Sequence, residues 1–116
     1  MTSAHGRFGP APIIAIHVLA AIGVLFWLSQ IVTAFVDGNH ALLVLLLGII
    51  LGGAHVLIWL FTSRHSRKAI WAIWFIIIGD SLLTLLVNWM AILLVGFTVV
   101  LLVLSRTGSA RAWYNQ

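Results

Sequence analysis

Polar residues in this chain fall in short clusters that separate long apolar runs. The first run, Pro12 to Val36, is closed by Asp37-Gly38-Asn39-His40, whose Asp, Gly and Asn favour turns and whose polarity opposes burial in lipid. It is too long for the apolar core of a cleavable signal peptide and reads as a retained anchor. The second run, Ala41 to Thr62, would be about 33 Å long as a helix, enough to cross a bilayer once. Ser63-Arg64-His65-Ser66-Arg67-Lys68 breaks it. The third run, Ala69 to Ser105, would reach about 55 Å as one helix, nearly twice the hydrocarbon thickness, so it must turn back. Val87-Asn88-Trp89 is the best hinge, because a polar residue and an interfacial aromatic interrupt the run there. The pattern predicts an all-α membrane protein, a bundle of four transmembrane helices at about 12–36, 41–62, 69–87 and 89–105. An N-terminal arm at 1–11 precedes them and an interfacial tail at 106–116 follows.

Composition agrees. With 63% apolar and 7% charged residues, the chain lacks the polar side chains to cover a water-facing surface. The net charge of +4 does not signal nucleic acid, since there are only six basic residues and they form no stripe. Arg7, Arg64, Arg67, Lys68, Arg106 and Arg111 all lie between or beyond the apolar runs, where topology-setting charges belong. With four spans all six fall on one side and Asp37 on the other; with three, the C-terminal arginines would cross over. Both termini are therefore expected on the cytoplasmic side, in a bacterial cytoplasmic (inner) membrane. Trp59, Trp71, Trp74, Trp89 and Trp113 fall near the expected interfaces, Trp27 being the exception. The absence of Cys excludes disulfides and thiolate metal sites.

Candidate chemistry then shifts from the loops to the helix faces. Gly48, Gly52, His55 and Trp59 recur at helical spacing, putting two small residues and an imidazole on one face suited to close helix contact, within the chain or with a partner. Asp80, Thr84 and Asn88 form the polar stripe of the third span, which should face protein or water. Ser29, Gln30 and Thr33 of the first span are candidate partners for the carboxyl. Helix rise places His17 and His55 at similar depth, about 8 and 10 Å from the cytoplasmic ends, and Asp80 at about 16 Å. The two imidazoles could thus meet; the plain reading is structural hydrogen bonding, the sharper one a bis-imidazole haem or metal site. No P-loop, zinc-protease or Gly-x-Ser-x-Gly pattern is present and the chain has no Glu, so neither an enzyme nor a bound cofactor or metal is expected.

Arg67-Lys68 followed by Trp71 and Trp74, together with the terminal Arg111-Ala112-Trp113-Tyr114, resembles small four-span bacterial membrane proteins of unknown function. Small multidrug-resistance transporters are similar in size and span number, but their pattern puts a membrane-embedded Glu in the first helix. This chain has no such acid, and Asp80 lies in the third. The leading expectation is a non-enzymatic accessory subunit that binds, stabilises or regulates a larger membrane complex, plausibly a transporter. Its partners would be the lipid bilayer and other membrane-protein subunits, not nucleic acid. The alternative is a homo-oligomeric proton-coupled carrier using Asp80, and less plausibly a bis-His haem subunit.

Overall fold

The computed structural model describes residues 9–38, 40–86 and 89–116. Helix α1 (Ala11–Asp37) carries Pro12 in its first turn, where a missing backbone N–H leaves no hydrogen bond unmade. It ends on Gly38 at φ 70°, the left-handed cap that glycine adopts without strain. Helix α2 (Ala41–Ser63) follows at once and contains a π-helical turn at Gly48–Gly52. A short turn through His65, itself left-handed at φ 57°, leads to α3 (Lys68–Leu86). Ser66 Oγ accepts the Lys68 N–H at 3.2 Å at its start. After the hinge, whose Val87 and Asn88 lie outside the described residues, α4 (Trp89–Ser105) opens with one 3-10 turn. Helix α5 (Gly108–Tyr114) then turns away from α4 by 77°.

The described residues are helical or in turns, with no strand among them. By length and composition α1, α2 and α3 can each cross a membrane, and a fourth span is present if α4 and α5 are taken together as one bent span. The four long helices pack as a ring in which α1 meets α2 and α4, and α3 meets α2 and α4. Their outward surface is apolar: Leu25 is 65% exposed, Trp71 76%, Val36 79% and Leu85 80%. Bare side chains of this kind over the whole circumference are costly in water and natural against lipid, consistent with a multi-pass membrane protein.

Packing is uneven along the 52 Å length of the molecule. Ile13, Ile16, Ile58, Ile73, Ile76 and Leu101 are fully buried. They come from the first halves of α1 and α3 and the last halves of α2 and α4, the end at which Arg64, Arg67, Lys68 and Arg106 lie. Arg7 lies outside the described residues. Helix α5 closes this end. Trp113 Nε1 donates to the Thr62 carbonyl at 2.7 Å, its ring lies 3.9 Å from that of His65, and its own carbonyl accepts from His65 Nδ1 at 3.0 Å. Gly9 fits under the same indole, where a Cβ would collide with it. Arg67 donates from Nε to Asn115 Oδ1 at 2.9 Å and also from Nη2.

Tyr114 completes this latch. Its buried hydroxyl lies 2.9 Å from Thr62 Oγ1, and either can donate. Tyr114→Phe strands the Thr62 hydroxyl, which is fully buried, and is expected to cost about 1 kcal/mol. Thermal unfolding in dodecyl maltoside, followed by tryptophan fluorescence, measures it; an unchanged midpoint would mean the hydroxyl pair carries no weight. Burial pushes the Tyr114 hydroxyl above its ordinary value, with the Thr62 bond acting in the opposite direction. The neutral phenol is thus the form the fold prefers: its contribution is complete below the ordinary value of 10.0 and is lost as pH rises through the raised one.

Candidate functional site

The glycine face of α2 is occupied from within the chain. Gly48 lies under Ile31 of α1, and Gly52 under Trp27, whose Cβ would be 3.2 Å from an added methyl. Side chains at either position would hold the helices apart, so their absence sets the α1–α2 distance. This explains Trp27, the aromatic outside the interfacial pattern: it is 6% exposed because it packs over a glycine in the middle of the bundle. His55 continues the same face and meets Gly23 of α1, where a Cβ would overlap the imidazole. His55 Nδ1 donates to the Leu51 carbonyl, inside the π turn, at 2.8 Å. The neutral ring therefore carries its lone pair on Nε2, on the edge beside Gly23. Trp59, at the end of the face, is 43% exposed and lies edge-on to His17.

The two histidines do not pair. His17 Nδ1 donates to the Ile13 carbonyl at 3.0 Å, and Nε2 lies 3.0 Å from Ser63 Oγ at the last residue of α2. It sits about 9 Å of helix rise nearer the basic end than Gly23, which faces His55. Similar depth along two helices does not bring side chains together unless their helix faces also coincide. Ser63 Oγ in turn donates to the Trp59 carbonyl at 2.9 Å. No group of three or more His, Cys, Asp or Glu side chains gathers as a metal site among the described residues.

Asp80 instead shares a site with His55. A cavity of about 180 Å³ is lined by Gly23, Phe26 and Trp27 from α1, His55 from α2, Asp80 from α3, and Phe97 and Thr98 from α4. Every long helix contributes to it. Asp80 is 2% exposed. Its Oδ2 accepts from Thr98 Oγ1 at 3.1 Å, whereas Oδ1 is buried with no hydrogen-bond partner among the described residues. Ser29, Gln30 and Thr33 are exposed on α1 and do not reach it; Ser29 Oγ donates to its own helix at the Phe26 carbonyl, 2.7 Å away. Thr84 donates to the Asp80 backbone carbonyl at 2.9 Å rather than to the carboxyl. Asn88, the third residue of the expected polar stripe, lies outside the described residues.

The sequence reading missed Thr98, yet a signal was available. Asp80 and Thr98 stand the same number of residues before and after Trp89, and an antiparallel hairpin brings such equidistant residues together. The hydroxyl can follow the charge state of the acid. Thr98 Oγ1 has one proton and two acceptors, Asp80 Oδ2 and the Leu94 carbonyl at 2.9 Å. A proton on Oδ2 would reverse the first bond and leave the threonine proton wholly to Leu94. A carboxylate lone pair in an apolar cavity is costly unless a proton or a cation meets it. Phe26, Trp27 and Phe97 in the cavity wall are the side-chain type that attracts a cation when a ring face meets it.

The fold and this site define an all-helical protein with three to four helices able to cross a membrane and a single buried carboxyl at their centre. No protein-family model, curated protein or solved structure matches the chain.

Proposed function

We propose that this chain is a four-span, non-enzymatic carrier of the bacterial cytoplasmic membrane, with both termini cytoplasmic, that exchanges a proton for a small lipophilic cation on Asp80. The observation that carries this reading is Asp80 Oδ1, without a partner among the described residues, in a cavity lined by all four helices and three aromatic rings. One carboxylate cannot hold a proton and a cation with equal ease at once, so binding of one releases the other. The site is assembled within one chain, and the reading needs no second copy. Proteoliposomes containing this protein alone should accumulate a quaternary ammonium or lipophilic amine when a proton gradient is applied. No flux across a panel of such cations would remove the proposal.

Four spans with cytoplasmic termini are supported by the convergence of Arg67 with Arg106 and Arg111 at one end of the bundle, while Asp37 ends α1 at the other. The natural absence of Cys makes a clean test. His40→Cys should react with an impermeant maleimide from outside intact cells, and Ser109→Cys only after permeabilisation. Labelling of both from the same side would break the topology.

A second reading, the accessory subunit, is favoured by a different observation. A groove of about 600 Å³ between α2 and α3 includes Ile50, Gly53, Ala54 and Leu57, and Gly53 has no neighbour within 4 Å of where its Cβ would be. A helix of a larger complex would fit there. Co-purification in mild detergent tests it, and migration as this chain alone would count against it.

A further inference from the structure

The basic residues do more than lie on one side of the bundle. The 77° turn into α5 brings Arg106 and Arg111 beside Arg67, around a polar cavity of about 270 Å³ whose wall also includes Ile70, Tyr114 and Asn115. Orientation by positive charge requires only that such residues lie in the right loops; it does not require them to meet. Nor do the chain's acidic side chains lie beside them. Its two carboxyl side chains are Asp37, at the far end of α1, and Asp80, enclosed in the central cavity with Thr98. Arg67 is held by Asn115 Oδ1, a neutral acceptor that fixes the guanidinium without cancelling its charge. Arg106 and Arg111 are exposed. Arg106 and Arg111 keep planar forks suited to the acceptor geometry of a phosphate group, with the uncancelled charge of Arg67 beside them.

We infer that this cavity binds the phosphate of an anionic phospholipid headgroup. The source is lipid rather than free phosphate because of where the hollow lies. It sits where α4 leaves the bundle and α3 enters it, and the exposed Trp71 and Trp74 open α3 directly after Ile70, as interfacial anchors do. A lipid in this place has its headgroup among the arginines and its chains against the apolar outside of the bundle. The site depends on the membrane reading of the chain and not on cation exchange at Asp80.

The test uses the full chain in nanodiscs of phosphatidylcholine containing a minor fraction of phosphatidylglycerol, with native mass spectrometry counting the lipids retained on release. Wild-type protein should retain phosphatidylglycerol in preference to phosphatidylcholine. Arg106→Gln with Arg111→Gln should weaken that preference by about fivefold for each charge removed, on the order of 25-fold together. Arg67 is left in place because it also ties α5 to the α2–α3 turn. Unfolding of the double variant in lipid-free detergent, at the wild-type midpoint, shows that its fold is kept. If the variant instead unfolds early, Arg106→Lys with Arg111→Lys, which keeps the charge and loses the forks, should fold and retain phosphatidylglycerol more weakly than wild type. Equal retention of the two lipids by wild type, or undiminished preference in a folded Gln or Lys variant, overturns the inference. So does inorganic phosphate at millimolar concentration displacing the lipid from the protein, which would make free phosphate the ligand.

Discussion

Asp80→Asn is expected to abolish proton-driven cation uptake while leaving the bundle folded. The amide keeps the shape of the carboxyl and an oxygen for the Thr98 hydroxyl, now 3.1 Å from Oδ2, but it carries no charge to exchange. The buried acid has one oxygen without a partner among the described residues. Removing its charge therefore costs the fold little, within about 1 kcal/mol, and replacing a buried ionisable group with a neutral one of similar volume is often neutral or stabilising. Uptake and stability should separate: flux falls to the level of empty liposomes, while the unfolding midpoint in detergent is held or rises. Flux within twofold of wild type would show that Asp80 is structural. A large loss of stability would mean that the carboxyl holds the helices together through Thr98.

Gly23→Val should be the most damaging change at a position without polar chemistry. An added Cβ overlaps His55 Cδ2, Nε2 and Cγ. The imidazole is 3% exposed and tied to the Leu51 carbonyl at 2.8 Å, so it can yield only toward the cavity it lines and at the cost of that bond. Either α1 and α2 separate, which also loosens Trp27 over Gly52 and Ile31 over Gly48, or the His55 hydrogen bond breaks. Overpacking and a lost buried hydrogen bond together cost about 2–4 kcal/mol. Gly96→Ala is the control, since nothing lies within 4 Å of its would-be Cβ. It should be neutral, or stabilising by up to about 1 kcal/mol through helix propensity. His55→Ala opens the space, so it should recover much of the loss in the double variant; additive losses would show that the clash lies elsewhere. Thermal unfolding of the wild type and the four variants in one detergent decides between these outcomes.

The helix breaks were legible in the sequence because each is a local conflict between backbone chemistry and lipid. Asp37-Gly38 stops α1 by polarity and a left-handed cap, and Arg64 to Arg67 places four polar turn residues before α3 among seven consecutive non-apolar positions, Thr62 to Lys68. The small-residue face of α2 was legible too, since Gly48, Gly52 and His55 share a face by helical period alone. What lies against that face was not. In a soluble bundle the buried stripe differs in polarity from the exposed one, and period locates the core. Here Leu25, 65% exposed, and Ile16, fully buried, are chemically equivalent along one helix. Lipid is as apolar as the interior, so the contrast that would reveal inward faces is absent.

The sequence by itself therefore determined which long runs are helical and apolar enough to enter a bilayer, and which few polar groups would be costly there, but not that the tail forms the helix α5. Tertiary structure alone decided which of those groups meet. It set His55 beneath Gly23 and beside the Asp80 cavity, sent His17 to Ser63, gave Thr98 to the carboxyl, and folded α5 back so that Arg67, Arg106 and Arg111 share one hollow. The physical reason is rotational register. A helix's rise fixes how deep a side chain lies, but its rotation about its own axis is set by the close packing of glycines and isoleucines between helices, which no single helix contains.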